Sequence, residues 1–208
     1  MVFIGDSMTA GFPDATYQWM IPLQASIQAL FNGAGSPPPT FGVNAVGGDT
    51  TTDMLSRVAT TTALNPDHCI ILCGLNDHDN HSGTPIPPAT SAANYVAYFA
   101  AVKAARPNCK FHVISNMWYQ SELWPDGSGA HDVDTQNTNA AIKAVVAAEP
   151  NAEWINIRDQ IFTFDEPIQN PTDLSSGILT QAPGTHPTKT AGQNVLSNRV
   201  YQRLQFGT

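Results

Sequence analysis

Ser7 follows a short apolar run, Met1 to Ile4, that is stopped by Gly5. A hydroxyl at the end of a buried strand faces whatever crevice lies beyond it, yet serine is a weak nucleophile until a neighbouring base takes its proton. The chain offers six histidines. His68 begins a strand at the wrong end of the sheet and His112 lies inside one, so both read as structural. His186, in the turn Gly184-Thr185-His186-Pro187 just before the last helical stretch, is the best-placed base. Attack on an acyl carbon also needs hydrogen-bond donors where negative charge develops, each worth on the order of 100 to 1,000-fold in rate. Three arise here: the backbone N–H of Ser7, the backbone N–H of Gly48 and the side-chain amide of Asn76. Gly48 has no Cβ and lets backbone approach substrate closely. Asn76 supplies a neutral donor that does not trap a product carboxylate.

The elements that must hold these groups follow from periodicity. Apolar runs bounded by glycine or turn residues predict strands at Met1 to Ile4, Phe41 to Val46, His68 to Cys73, Phe111 to Ser115 and Glu153 to Ile157. Helical spacing predicts helices over Tyr17 to Phe31, Thr52 to Thr61, Ala89 to Arg106, Thr135 to Glu149 and Pro187 to Leu204. Pro22 must then sit near a first turn or mark a kink. Thr90 or Ser91 would cap the third helix, and Pro187 would sit near N1 of the last. Strands alternating with helices argue for a three-layer α/β/α sandwich around a five-stranded parallel sheet, in the flavodoxin-like order 2-1-3-4-5. Ligands of such sheets bind beyond the carboxyl ends of the strands. Gly5-Asp6-Ser7, Gly47-Gly48-Asp49 and Gly74-Leu75-Asn76-Asp77 all fall there, as does the long loop from Asn116 to Asp134. No internal repeat or linker divides the chain, so residues 1–208 are expected to form a single domain.

Four segments carry a resemblance. Gly5-Asp6-Ser7-Met8-Thr9-Ala10-Gly11, Asn44 to Thr51 with Leu55 and Arg57 following, Gly74-Leu75-Asn76-Asp77, and His186-Pro187 are similar to the four blocks of the SGNH (GDSL-type) hydrolases, in that family's order. The resemblance implies the same fold, with Ser7 as nucleophile, His186 as general base, and Gly48 and Asn76 with the Ser7 amide as oxyanion hole. It also implies that Asp6 and Asp77 are chiefly architectural, which agrees with the turn-forming habit of aspartate. Two positions depart from the pattern. Met8 replaces the usual Leu, a swap of similar volume. Pro183 stands where the family has the carboxylate that orients the histidine. The Nδ1–H of His186 must then find a backbone carbonyl of Gln181, Ala182 or Pro183, or an acid from the preceding loop, Asp165, Glu166 or Asp173.

Other candidates have plainer readings. Asp77-His78-Asp79-Asn80-His81 has metal-friendly side chains but reads as a solvated polar loop, and no metal is expected. His131 with Asp132 and Asp134 forms either a pocket wall or a surface loop. Trp118, Tyr119 and Trp124 serve either as a plug that holds the long loop down or as a binding platform for a sugar or acyl group. Tyr17 and Trp19 anchor the helix after Ser7. No G-x-G-x-x-G and no P-loop occur, so no cofactor is expected.

Composition narrows the partners. Of 208 residues only 12% are charged against 42% hydrophobic, which excludes a disordered chain. The net charge is −8 with nine scattered cations, which excludes a phosphate-backbone binder and hence a nucleic-acid partner. No apolar run reaches the roughly 18 residues of a membrane span. The N-terminus lacks a cationic segment followed by an apolar one, so this chain carries no signal peptide, as for a cytoplasmic protein or for a domain processed from a longer extracellular one. Three cysteines, Cys69, Cys73 and Cys109, lack C-x-x-C spacing and read as buried thiols, or as one Cys69–Cys109 bridge if those residues start neighbouring strands. The expected activity is a serine esterase on short acyl, most notably acetyl, esters of small molecules or polysaccharides. The alternatives are a lipase or thioesterase of the same family, or a non-catalytic carbohydrate-binding or assembly module that retains the fold. Nothing in the sequence sets the oligomeric state.

Overall fold

The computed structural model describes residues 1–11, 18–77, 84–116, 130–157 and 191–204, without the side chains of 130–133 and 191–195. Five parallel strands, β1 (Val2–Gly5), β2 (Gly42–Ala45), β3 (His68–Leu72), β4 (Lys110–Ile114) and β5 (Ala152–Ile155), form one sheet in the order β2-β1-β3-β4-β5. This is the order expected from the sequence. Interior strand β1, between β2 and central β3, pairs Phe3 with Val43 on one side and with Ile70 on the other.

Alternation along the strands divides the core in two. Phe3, Ile70, Leu72, Ile114 and Ile155 pack with Met20, Leu23 and Ile27 of α2 (Met20–Gly33) and with Leu196 and Val200 of α7 (Ala191–Arg203). Val2, Ile4, Cys69, Ile71 and Val113 pack on the other face with Met54 of α3 (Thr51–Ser56), Tyr95, Tyr98 and Phe99 of α5 (Pro88–Ala105), and Ile142 and Val146 of α6 (Ala130–Ala148). A sheet apolar on both faces and covered by helices is the stable arrangement for parallel strands, each fully buried Val, Ile, Leu or Phe contributing roughly 1.5–3 kcal/mol. Trp19 anchors α2 as expected, fully buried with its ring edge-on to Phe3 at 5.7 Å. Pro22 lies in the first turn of α2, where its missing N–H is harmless.

Several boundaries differ from expectation. The second helix is two short ones, α3 and α4 (Val58–Ala63), interrupted at Arg57. Arg57 leaves the helical backbone at φ −98°, ψ 13°, and its carbonyl starts α4, accepting from the Thr60 N–H at 3.0 Å and also from Asn44 Nδ2 at 3.1 Å. Helix α5 starts at Pro88, capped by Pro87, and not at Thr90 or Ser91. Proline is preorganised for a first turn, and the Ser91 hydroxyl is engaged with Asp77 instead. Helix α6 begins at Ala130, before the expected Thr135, so Asp134, read as a loop residue, lies within it. The Pro187 start of the last helix lies outside the described residues.

Gly5 is where β1 turns toward Ser7, and a Cβ there would lie 2.3 Å from the Leu72 carbonyl oxygen and 2.5 Å from Thr9 Oγ1. At Gly33, the last residue of α2, a Cβ meets nothing within 4 Å. In urea unfolding, Gly5→Ala is expected to lose stability at or beyond the upper end of the about 1–3 kcal/mol seen for overpacking. Gly33→Ala is expected to gain about 0.4–1 kcal/mol. Equal effects of the two substitutions would show that β1 and β3 have room to separate.

Candidate active site

Three turns meet where β2, β1 and β3 end side by side. The first follows β1: Asp6 caps α1 (Ser7–Ala10), its Oδ1 accepting from the Met8 N–H at 2.9 Å, so Ser7 opens a helix right at the strand end. Ser7 is half-buried. The second follows β2, where the Val46 N–H donates to the Gly5 carbonyl at 3.1 Å and the Asp49 N–H closes the turn onto the Val46 carbonyl at 3.3 Å. Gly48 has φ 82°, the left-handed region that glycine tolerates. A Cβ on Gly47 would lie 3.7 Å from Ser7 Cβ, so Gly47 abuts the serine and Gly48 follows it directly. The third follows β3 as a 3-10 turn, Leu75–Asp77, in which Asn76 is buried and donates one amide N–H to the Asp49 carbonyl at 2.9 Å. The amide carries two such hydrogens, so the second is left for another acceptor.

The scaffold beneath is polar and closely bonded. Asp77, fully buried, accepts from the Thr51 N–H at 2.8 Å, the Thr51 hydroxyl at 2.7 Å and the Ser91 hydroxyl. Asp49 pairs with Arg57, which donates to Asn44 Oδ1 at 2.9 Å. Thr50 and Asp53 form a reciprocal capping box that starts α3. Asp6 and Asp77 are thus both turn and scaffold residues, as expected. The roles of Thr51, Ser91 and Asn44 escaped the sequence reading, because their partners lie 26, 14 and 13 residues away. Only the T-x-x-D spacing of the capping box was there to be found.

The structure thus brings Ser7, Gly48 and Asn76 to adjoining strand ends. His186, Pro183, Trp118, Tyr119, Trp124, Tyr17, the acids Asp165, Glu166 and Asp173, and the His78 to His81 run lie outside the described residues, as does the His131 side chain. Among the described residues no group of three or more His, Cys, Asp or Glu is placed to hold a metal, and no helix is long and apolar enough to cross a membrane. His68 and His112 sit at the opposite, amino-terminal edge: His68 Nδ1 is 2.8 Å from His112 Nε2, and His112 Nδ1 meets Glu153. This chain of side chains supports the structural reading of both histidines.

The model of the GDSL-like lipase/acylhydrolase family matches residues 3–193. The chain belongs to that family. No curated protein matches this hydrolase. Among solved structures, the acetyl xylan esterase AlAXEase superposes with TM-score 0.75 at 18% identity, covering 99% of this chain and 100% of that one. A lipase/acylhydrolase from Enterococcus faecalis gives 0.73 at 20% identity over 100% and 98% of the two chains. A member of the lipolytic G-D-S-L family from Veillonella parvula gives 0.67 at 21% over 98% of each. These likenesses establish the three-layer fold of the hydrolase.

Burial, with the nearby Asp77 charge adding, pushes the Asp6 carboxyl up to about 7, and its Oδ2 has no partner among the described residues. A carboxyl raised from 3.8 binds more protons in the folded state, so its contribution to stability is complete below about pH 4 and lost as pH rises through about 7. His68 runs the other way: burial, aided by His112, lowers it to about 4, so its contribution is lost as pH falls from 6.5 toward 4. Asp6→Asn retains a cap oxygen and removes only the first effect. Its urea-derived stability relative to the parent is expected to rise between pH 4 and 8, with the His68 contribution cancelling in the difference. A flat difference would show that Asp6 ionises freely.

Proposed function

We propose that this hydrolase, a single domain over residues 1–208, is a serine esterase acting through an acyl-enzyme on Ser7. The observation that carries the reading is the junction of Ser7, Gly48 and Asn76 at adjoining strand ends, with the Asn76 amide held by the Asp49 carbonyl at 2.9 Å. In the proposed reaction Ser7 Oγ attacks the ester carbonyl carbon while His186 takes its proton. The carbonyl oxygen, now an oxyanion, accepts from the Ser7 and Gly48 N–H groups and the second Asn76 N–H. His186 returns the proton to the departing alcohol. Water, deprotonated by the same imidazole, then releases the acid and frees Ser7. With Pro183 in place of an aspartate, we assign the orientation of His186 to a backbone carbonyl of Gln181, Ala182 or Pro183.

For substrate we propose short acyl groups, acetyl foremost, on a carbohydrate alcohol. The low charge content supports this, as do the aromatics Trp118, Tyr119 and Trp124 in the segment after β4, and the likeness to a structure described as an acetyl xylan esterase.

Hydrolysis of p-nitrophenyl esters from acetyl to decanoyl, and acetate release from acetylated xylan, test both levels. Ser7→Ala is expected to lose at least about 10⁴-fold in kcat. Asp165→Asn, Glu166→Gln and Asp173→Asn are expected to stay within about threefold of the parent, since on this reading none orients the imidazole; a loss of about 10⁴-fold in one of them would assign that role to it. A preference for decanoyl would favour a lipase. Parent turnover no greater than that of Ser7→Ala on every ester would leave a binding module.

A further inference from the structure

Cys69 is the second residue of β3 and Cys109 immediately precedes β4, its neighbour in the sheet. Register places Cys69 opposite Phe111, so Cys109 lies two residues back along the partner strand. Both side chains are buried in one apolar cluster, and their Sγ atoms are 3.6 Å apart as free thiols. A disulfide needs sulfurs at about 2.05 Å, an approach of about 1.5 Å. Cys73, four positions further along the same chain, is buried toward Asp6 and Asp77, away from that pair. A cleft of about 620 Å³ opens at the amino-terminal edge of the sheet and is lined by Asp67, His68, Asn108 and Lys110. These are the sequence neighbours of the two cysteines, which do not themselves line the cleft and are 0% and 1% exposed, so a small reagent reaches the pair through local opening of the entries to β3 and β4.

We propose that Cys69 and Cys109 are a redox-active pair that a small hydroperoxide converts into an intramolecular disulfide, tying the entry of β3 to the entry of β4. The Cys109 thiolate attacks one peroxide oxygen, the O–O bond breaks, and sulfenic acid and hydroxide result. The Cys69 thiol then attacks the sulfenic sulfur and expels the hydroxyl, its own proton completing the second water. The balance is two thiols and one hydrogen peroxide to one disulfide and two waters, with the thiols losing two electrons and the peroxide gaining them. Cys109 is the thiolate partner because the hydrogen bond it shares with Cys69 lowers its pKa, with Arg106 and the chain amino terminus acting in the same direction and burial and Asp67 against it. The same hydrogen bond, followed by burial, pushes Cys69 up. Cys73 is pushed well up by burial and serves as an internal control.

The test is a thiol count on the folded protein exposed to hydrogen peroxide, then unfolded in N-ethylmaleimide and weighed intact. Counting adducts keeps the result independent of oxygen taken up by the five methionines. The reduced protein is expected to carry three adducts and the oxidised protein one, on Cys73, with dithiothreitol restoring three. Oxidation closes a loop of |i−j| = 40 and is expected to raise the thermal midpoint by about 5 °C or more, reversibly. Cys109→Ser is expected to keep both remaining adducts after the same treatment. Three adducts persisting after peroxide, an adduct lost from Cys73, or a loss that dithiothreitol does not reverse would overturn the proposal.

Discussion

The buried carboxylate of Asp77 fastens the carboxyl end of the sheet. Removing a carboxylate from water costs several kcal/mol unless hydrogen bonds replace its hydration. From the described residues Asp77 receives at least three, two from Thr51 at the start of α3 and one from Ser91 in α5, each of a kind worth about 1.5–3 kcal/mol. The 3-10 turn that carries Asn76 is thereby tied to the helix that follows Gly47-Gly48-Asp49. A second charge nearby is correspondingly hard to accommodate. Asp6 has a single backbone donor on Oδ1 and none on Oδ2 among the described residues, and it is Asp6 that holds its proton up to about pH 7. Two aspartates in neighbouring turns are thus distinguished by how many donors each receives.

Much of this was legible from the sequence. Apolar runs marked every strand, those of β1, β2 and β3 closed by glycine, because parallel strands are buried on both faces and carry little polar alternation. Ser7, Gly48 and Asn76 stood out because each follows such a run directly. What stayed hidden depended on partners distant in sequence. Arg57, where α3 gives way to α4, is bonded to Asn44 on β2 through both its carbonyl and its guanidinium, and the early start of α5 leaves Ser91 inside a helix with its hydroxyl on Asp77. Periodicity reports which face of an element is apolar and does not report which polar side chains will meet between elements.

The two ends of the sheet differ in their polar chemistry. At the amino-terminal edge His112 is almost fully buried within β4, which is tolerable because both ring nitrogens are engaged, one by His68 and one by Glu153. The two imidazoles stack with centroids 5.1 Å apart. Cys69, directly after His68, and Cys109 lie at the same edge, their Sγ atoms in contact. Strand β3 therefore begins among imidazoles and thiols and ends at the turn that bears Asn76. Only its apolar middle, Ile70 to Leu72, serves the core alone.

The rigidity of that turn bears on the proposed reaction. The Asn76 amide is held by the Asp49 carbonyl, the Asp49 carboxylate by Arg57, Arg57 by Asn44, and Asn44 by Thr61, whose hydroxyl lies 2.6 Å from the Tyr98 hydroxyl in α5. A donor fixed this way needs no reorganisation when charge develops opposite it, which is the source of oxyanion stabilisation. None of these groups belongs to the segment that carries Pro183 and His186. Serine hydrolases that lose one member of their triad retain about 10³–10⁴-fold over water from the oxyanion hole and binding alone. On the proposed reading, proline at position 183 in place of the family's aspartate bears on the orientation of His186, whereas the proposed oxyanion donor Asn76 takes its support from α3 and α5.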